Sequence, residues 1–222
     1  MRFPNAFNGS KKIFLAEILS LITSVLLIIG ALVAVSAVKA ETGDGAVGSL
    51  VGGGTLIIVG GIVAIVAFII QIIGINACAK DEPAFKNALY AIIAGIIASV
   101  ISSAVSASAP TVSSIFSAIS ALASLGAVVF VIKGFINLAN QLGRSDVAAS
   151  GKTVLYVSVG LLLLSVVLTF ISGVITPSDL TSVNLSSYKT AQILSLIASV
   201  LSIGQTIVYL LFLKKSKDML AA

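Results

Sequence analysis

The chain has 222 residues, 58% hydrophobic and 9% charged, with mean hydropathy +1.19 and a formal net charge of +5. A soluble domain carries about 25% charged residues, so this composition excludes a water-facing surface over most of the chain and points to one that faces lipid. The chain contains no His and no Trp, and its single Cys is Cys78; this excludes Ser-His catalysis, His-ligated zinc or haem, an internal disulfide and a dithiol redox pair.

A membrane helix needs about 20 apolar residues. Runs free of acidic and basic residues cover 18–38, 45–79, 87–132, 153–178 and 190–213. The first run follows Arg2, Lys11 and Lys12 and predicts a span over about 11–38. Its apolar part, 13–38, is too long for the core of a cleaved signal peptide despite the small-residue "VKA" at 38–40. Glu17 lies inside this span, and a charge in a span is a functional candidate by default. The stretch 40–54 is rich in glycine and is expected to be a flexible linker. Glu41 and Asp44 within it could hold a cation, although Asp44 lacks the Gly-x-Gly-Asp setting of an intramembrane aspartyl protease and has no second acid in a span.

The second span is expected over about 55–79, starting at Thr55. Gln71 and Asn76 near its end are read as interfacial. The third charge-free run has 46 residues, too many for one crossing, and Pro110 in "SASAPT" (106–111) divides it into spans over about 84–107 and 112–142. Span 3 carries two period-four columns of small residues: Ala91, Gly95, Ser99, Ser103, Ala107, and Ala94, Ala98, Ser102, Ser106. Such columns let helix backbones approach, and Ser99 and Ser103 are also candidates for the wall of a solute path. Span 4 adds Ser113, Ser117, Ser120 and Ser124. It ends with Lys133, Asn137, Asn140, Gln141 and Arg144 on one helical face, which reads as an amphipathic exit into water. Lys133 and Glu17 are the only opposite charges within spans and form a candidate pair.

The fifth span is expected over about 152–175, and "SGKTVLY" (150–156) contains the triplet that closes a phosphate-binding loop. A Walker A loop needs Gly five residues before the Gly of that triplet, where this chain has Asp146, and no strand precedes it. Nucleotide binding is therefore not expected. Lys152 reads as a headgroup anchor, with Tyr90 and Tyr156 as interfacial aromatics. The sixth span, about 188–215, sets Gln192, Ser195, Ser199, Ser202, Gln205, Thr206 and Tyr209 along a broad face. Gln205 is the costliest of these to bury and should face protein or water.

Six spans put both termini on one side, together with ten of the thirteen basic residues; Lys39 and Lys189 lie opposite. Basic loops stay cytoplasmic, so the chain is expected in a cell membrane with both termini on the cytoplasmic side, and the +5 charge contacting anionic headgroups rather than nucleic acid.

The odd spans begin alike: "KIFLAEI" (12–18), "KNALYAI" (86–92) and "KTVLYVS" (152–158). The even spans each end in a basic-then-acidic pair. The fold expected is an all-α integral membrane protein of one domain, 1–222. Its six helices form three parallel-oriented hairpin repeats, about 11–79, 84–142 and 152–215, arranged with pseudo-threefold symmetry or else as a linear array. Three hairpins resemble the architecture of mitochondrial carriers, but their Pro-x-[Asp/Glu] signature is absent from the odd spans. The pattern looks more like that of small bacterial membrane proteins. No motif here is specific enough to carry over a family function.

The expected function is non-enzymatic, with no cofactor and no metal site: an accessory protein that binds a membrane-protein partner or a second copy of itself. The alternative is a small-solute transporter or channel with a path lined by Ser and Gln. Candidates for that path are Glu17, Lys133, Gln205, Ser99 and Ser103.

Overall fold

The structure is a computed structural model that describes residues 2–39, 44–106, 108–175 and 185–221. Among these residues it contains six α-helices and no strands: α1 (Pro4–Lys39), α2 (Asp44–Cys78), α3 (Ala84–Val105), α4 (Pro110–Gln141), α5 (Ser145–Ile175) and α6 (Leu185–Ala221). Each contains a stretch long and apolar enough to cross a bilayer.

The helices outrun the expected spans, mostly at the basic end. α1 starts at Pro4 rather than near 11, α5 at Ser145 rather than near 152, and α6 continues to Ala221 rather than stopping near 215. Charge-free runs mark where lipid would begin, not where hydrogen bonding ends. The extra turns are held by packing: Ala6, Ser10, Val147, Ala148, Met219 and Leu220 are all buried. The expected linker 40–54 is corrected as well. α2 begins at Asp44, and only residues 40–43 lie outside the described part, Glu41 among them. Glycine is tolerated there because the backbones of α1 and α2 come close. A Cβ on Gly30 would sit 3.1 Å from the Gly53 carbonyl oxygen.

Each helix packs on its neighbour in sequence, and α1 packs on α6, so the hairpins close on themselves instead of forming an open row. α1 and α2 cross tightly through glycines. A Cβ on Gly9 would lie 2.5 Å from Cys78 Sγ and 2.5 Å from the Gly74 carbonyl oxygen, and one on Gly74 would lie 2.8 Å from Ile13 Cγ1. This is small-residue packing of the kind that membrane helices use in place of a hydrophobic driving force.

The core lies at one end, where both termini, the 79–83 turn and the 142–144 turn meet. Phe85, Phe135 and Phe212 cross it in a chain of edge-to-face contacts, with ring centroids 5.1 and 6.2 Å apart. That geometry suits the aromatic quadrupole.

Polar groups lock the same end. Asp81 accepts the Ala6 backbone N–H at 2.7 Å and the Asn5 amide at 2.9 Å, capping the N-terminus of α1 from a distant loop. Buried Glu82 accepts Asn137 Nδ2 at 2.9 Å and Gln141 Nε2 at 3.1 Å. Arg2 donates to the Gln141 carbonyl at 2.9 Å. Across the bundle, Lys215 of α6 donates to Ser150 Oγ at 2.8 Å and to the Asp146 carbonyl at 3.1 Å, joining α6 to the first turns of α5. At the 142–144 turn Asp146 pairs with Arg144 at 3.1 Å, and this hydrogen bond holds the guanidinium pKa above its ordinary value.

Candidate functional site

Away from the locked end the bundle is looser, and the α2–α3 contact is the thinnest between sequence neighbours. The cause lies in how each helix is held by its own hairpin partner. α2 is drawn to α1 by the Gly9–Gly74 and Gly30–Gly53 approaches. α3 is drawn to α4 because the Phe85 ring fills a notch that only glycine at 134 leaves open. α3 and α4 are also joined by hydroxyls. Ser102 Oγ lies 2.9 Å from the Ser113 carbonyl, 3.0 Å from Ser113 Oγ and 3.0 Å from Ser117 Oγ. Ser113 returns a hydrogen bond to the Ser102 carbonyl at 2.9 Å, and Ser120 donates to the Gly95 carbonyl at 3.0 Å.

What remains between α2 and the α3–α4 pair is a cleft of about 460 Å³. Phe68, Gln71 and Ile75 of α2 form one wall; Ile92, Gly95, Ile96, Ser99 and Val100 of α3 face it; Ser120, Ser124, Ala127, Val128 and Val131 of α4 form the back; and Tyr209 of α6 closes it toward the core. Phe68, Ile96 and Val100 are exposed along its rim, so it opens to the side of the bundle. Most of its surface is apolar. Ser120 and Ser124 direct their hydroxyls to backbone carbonyls, which mutes their polarity.

The marked polar feature is Gln71. Its Nε2 donates to Glu17 Oε1 at 2.9 Å, and both groups are partly buried. Tyr209, buried, closes the cleft toward the core. A second cleft of about 330 Å³ lies between α1, α5 and α6, lined by Ser24, Leu27, Ile28, Ser165, Ala198, Ser199 and Ser202.

The predicted site residues fall in different places. Ser99 is on the wall of the larger cleft. Ser103 is exposed beyond it and donates back to the Ser99 carbonyl at 3.0 Å. Gln205 is buried in α6 but is not among the residues lining either cleft. Lys133 is exposed on α4. Among the described residues no ion pair joins Lys133 to Glu17, whose partner is Gln71 instead. Gln71 is half-buried with its amide on α1, while Asn76 is exposed.

The face read as an amphipathic exit is partly inward too, because Asn137 and Gln141 hold Glu82. The two small-residue columns of span 3 do not form separate packing faces. The buried residues are Ala84, Phe85, Ala88, Gly95, Ala98 and Ser102, a line that takes Gly95 from the first column and Ala98 and Ser102 from the second. An α-helix has 3.6 residues per turn, so a strict period of four drifts about 40° at each step and cannot follow one neighbour.

Sequence reading missed Asp81 and Glu82. Their signal was a pair of acids in a five-residue connection, and their partners become evident only once the helices are placed. Among the described residues no three potential metal-ligating side chains come together. Lys152 is exposed on α5, within a continuous helix that starts at Ser145. Family models, curated proteins and solved structures, compared with this chain, each yield no match.

Proposed function

We propose that the chain is a multi-pass integral membrane protein that binds an apolar guest from the bilayer in the cleft between α2 and the α3–α4 pair. The observation that carries this reading is the lateral opening of a largely apolar cleft of about 460 Å³, within the usual range of ligand pockets at about 300–1,000 Å³. Non-enzymatic binding suits a wall without a nucleophile–base pair. The ten basic residues on the side of the termini support a cytoplasmic placement of both. The similar starts at Lys12, Lys86 and Lys152, together with the closed order of hairpins, support three related hairpins about a pseudo-threefold axis. Contacts with anionic headgroups and with a membrane-protein partner or a second copy belong to the same reading.

The test is photo-crosslinking of the full chain in phosphatidylcholine nanodiscs with a photoactivatable decanol. Adducts are expected on α2, α3 and α4 around the cleft, and Ser99→Phe or Ser124→Phe is expected to remove them by filling the space. Adducts spread evenly over the outer faces of all six helices would overturn the proposal.

A second reading, solute transport, is favoured by one observation: Ser24, Ser165, Ser199 and Ser202 around the second cleft give it a hydroxyl-rich wall. Uptake of a polar solute into proteoliposomes, lost on Ser202→Phe, would favour it over guest binding.

A further inference from the structure

Gln71 is the only side-chain amide among the residues lining the larger cleft, and no Lys or Arg lines it. Its Nε2 is committed to Glu17 at 2.9 Å. A carboxylate only accepts hydrogen bonds, so this contact commits the amide nitrogen to α1; Gln71 lines the cleft, and its carbonyl oxygen makes no hydrogen bond among the described residues, which makes it the amide atom with accepting capacity to spare. Behind it, Glu17 has no cationic partner among the described residues. A partly buried carboxylate held by one neutral amide is poorly compensated. The cleft thus has an apolar length and one electronegative pole near its closed end.

We propose that the guest is a cationic amphiphile, an alkylammonium in chemical class, with its chain along Ile92, Ile96 and Val100 and its head at Gln71, held by the charge of Glu17. This rests on the lateral-cleft reading and adds the identity of the head group. The ammonium donates to the Gln71 carbonyl oxygen and supplies the counter-charge that Glu17 lacks among the described residues. A neutral alcohol could make the same hydrogen bond without the charge term, and a carboxylate would meet like charge.

The test uses the full chain in nanodiscs and measures competition against the photoactivatable decanol by decylammonium, decanol and decanoate. Decylammonium is expected to compete at concentrations lower than decanol by about tenfold or more, since a charge pair in a partly buried site is screened far less than in water, with decanoate weakest. Glu17→Gln keeps a hydrogen-bonding side chain but removes the charge, and should bring the amine and the alcohol close together. Gln71→Met keeps Glu17 and removes the acceptor; it should also reduce the preference, and it serves if Glu17→Gln does not fold. Using the ratio between variants cancels the different partitioning of the three probes into lipid. Equal competition by amine and alcohol in the unmodified protein, or a preference that survives both substitutions, would overturn the cationic head group while leaving cleft binding intact. Absence of cleft adducts altogether would overturn both.

Discussion

Adding one methyl group at residue 134 should destabilise the protein, whereas adding one at residue 160 should not. A Cβ at Gly134 would lie 2.6, 2.7 and 2.9 Å from three carbons of the Phe85 ring. Comfortable carbon–carbon contact is about 3.5–4.0 Å, so the ring would have to retreat by about 1 Å. It has nowhere to go, because Phe85 is fully buried with its ring edge-to-face on Phe135, which in turn meets Phe212. Overpacking of this kind costs about 1–3 kcal/mol, against a helix-propensity gain of about 1 kcal/mol for Gly→Ala. Subtracting the second term from the first leaves a net loss of up to about 2 kcal/mol. For a chain of this length that lowers the melting temperature by up to about 8 °C. At Gly160 a Cβ would meet nothing within 4 Å, so Gly160→Ala keeps only the propensity gain and should raise the melting temperature by about 2–4 °C. Loss of helical circular dichroism in detergent reads both changes. Phe85→Leu should partly rescue Gly134→Ala, making the double change less than additive. A Gly134→Ala protein at least as stable as the parent would refute the packing of Phe85 against α4.

Glu82→Ala should cost about 1–3 kcal/mol, because the Asn137 and Gln141 amides would lose their shared carboxylate; a denaturant melt unchanged within about 0.5 kcal/mol would count against the lock. Ser102→Ala should destabilise by about 1 kcal/mol through loss of the contacts to Ser113 and Ser117, whereas Ser103→Ala, exposed and bonded only within its own helix, should stay within about 0.5 kcal/mol. ATP should show no saturable binding by calorimetry before or after Lys152→Ala, since the Gly-Lys-Thr triplet lies inside a helix; binding abolished by the substitution would restore the phosphate-loop reading. Cysteines placed at Lys80 and Lys152 should react with a membrane-impermeant reagent only from the cytoplasmic side, and labelling from outside would reverse the proposed topology.

The number and order of helices were legible because lipid imposes a crude rule, about 20 apolar residues per crossing, and the chain obeys it. Pro110 divided the long run correctly because it cannot continue a helix from α3. The rule failed where protein rather than lipid stabilises a helix. Residues 4–10 of α1 and 216–221 of α6 carry polar residues, so hydropathy ends the span before them, yet they are packed into the core. The glycines of 45–54 misled for the opposite reason. Glycine weakens an isolated helix by about 1 kcal/mol per residue, but it also allows the close backbone approach seen between Gly30 and Gly53. For the candidate site, Ser99 and Glu17 were visible as a hydroxyl and a charge on apolar spans. The partnership of Glu17 with Gln71 was not visible, because it depends on the antiparallel register of α1 and α2. That register is set by glycines at 9 and 74 that carry no polar signal.

The same glycines and acids explain why the bundle is tight at the end that holds the termini and looser at the cleft. At the locked end the 79–83 connection is tied to hairpin 1 by Asp81 with Asn5 and Ala6 and to hairpin 2 by Glu82 with Asn137 and Gln141, so separating the hairpins there breaks one set of contacts or the other. Hydrogen bonds to charged groups contribute about 1.5–3 kcal/mol each. Further along, α2 and α3 share little surface, and each is fastened to its own partner by small-residue packing or serine hydroxyls. Widening the cleft leaves those hairpin contacts intact and exposes mainly apolar side chains, which lipid tails solvate as well as protein does. Gln71 and Tyr209 lie at the closed end of the cleft, toward the 79–83 connection. A guest chain entering from the side would therefore separate α2 from α3 without disturbing the core. Its head group would stop where the locked end begins, beside the one amide that Glu17 holds in place.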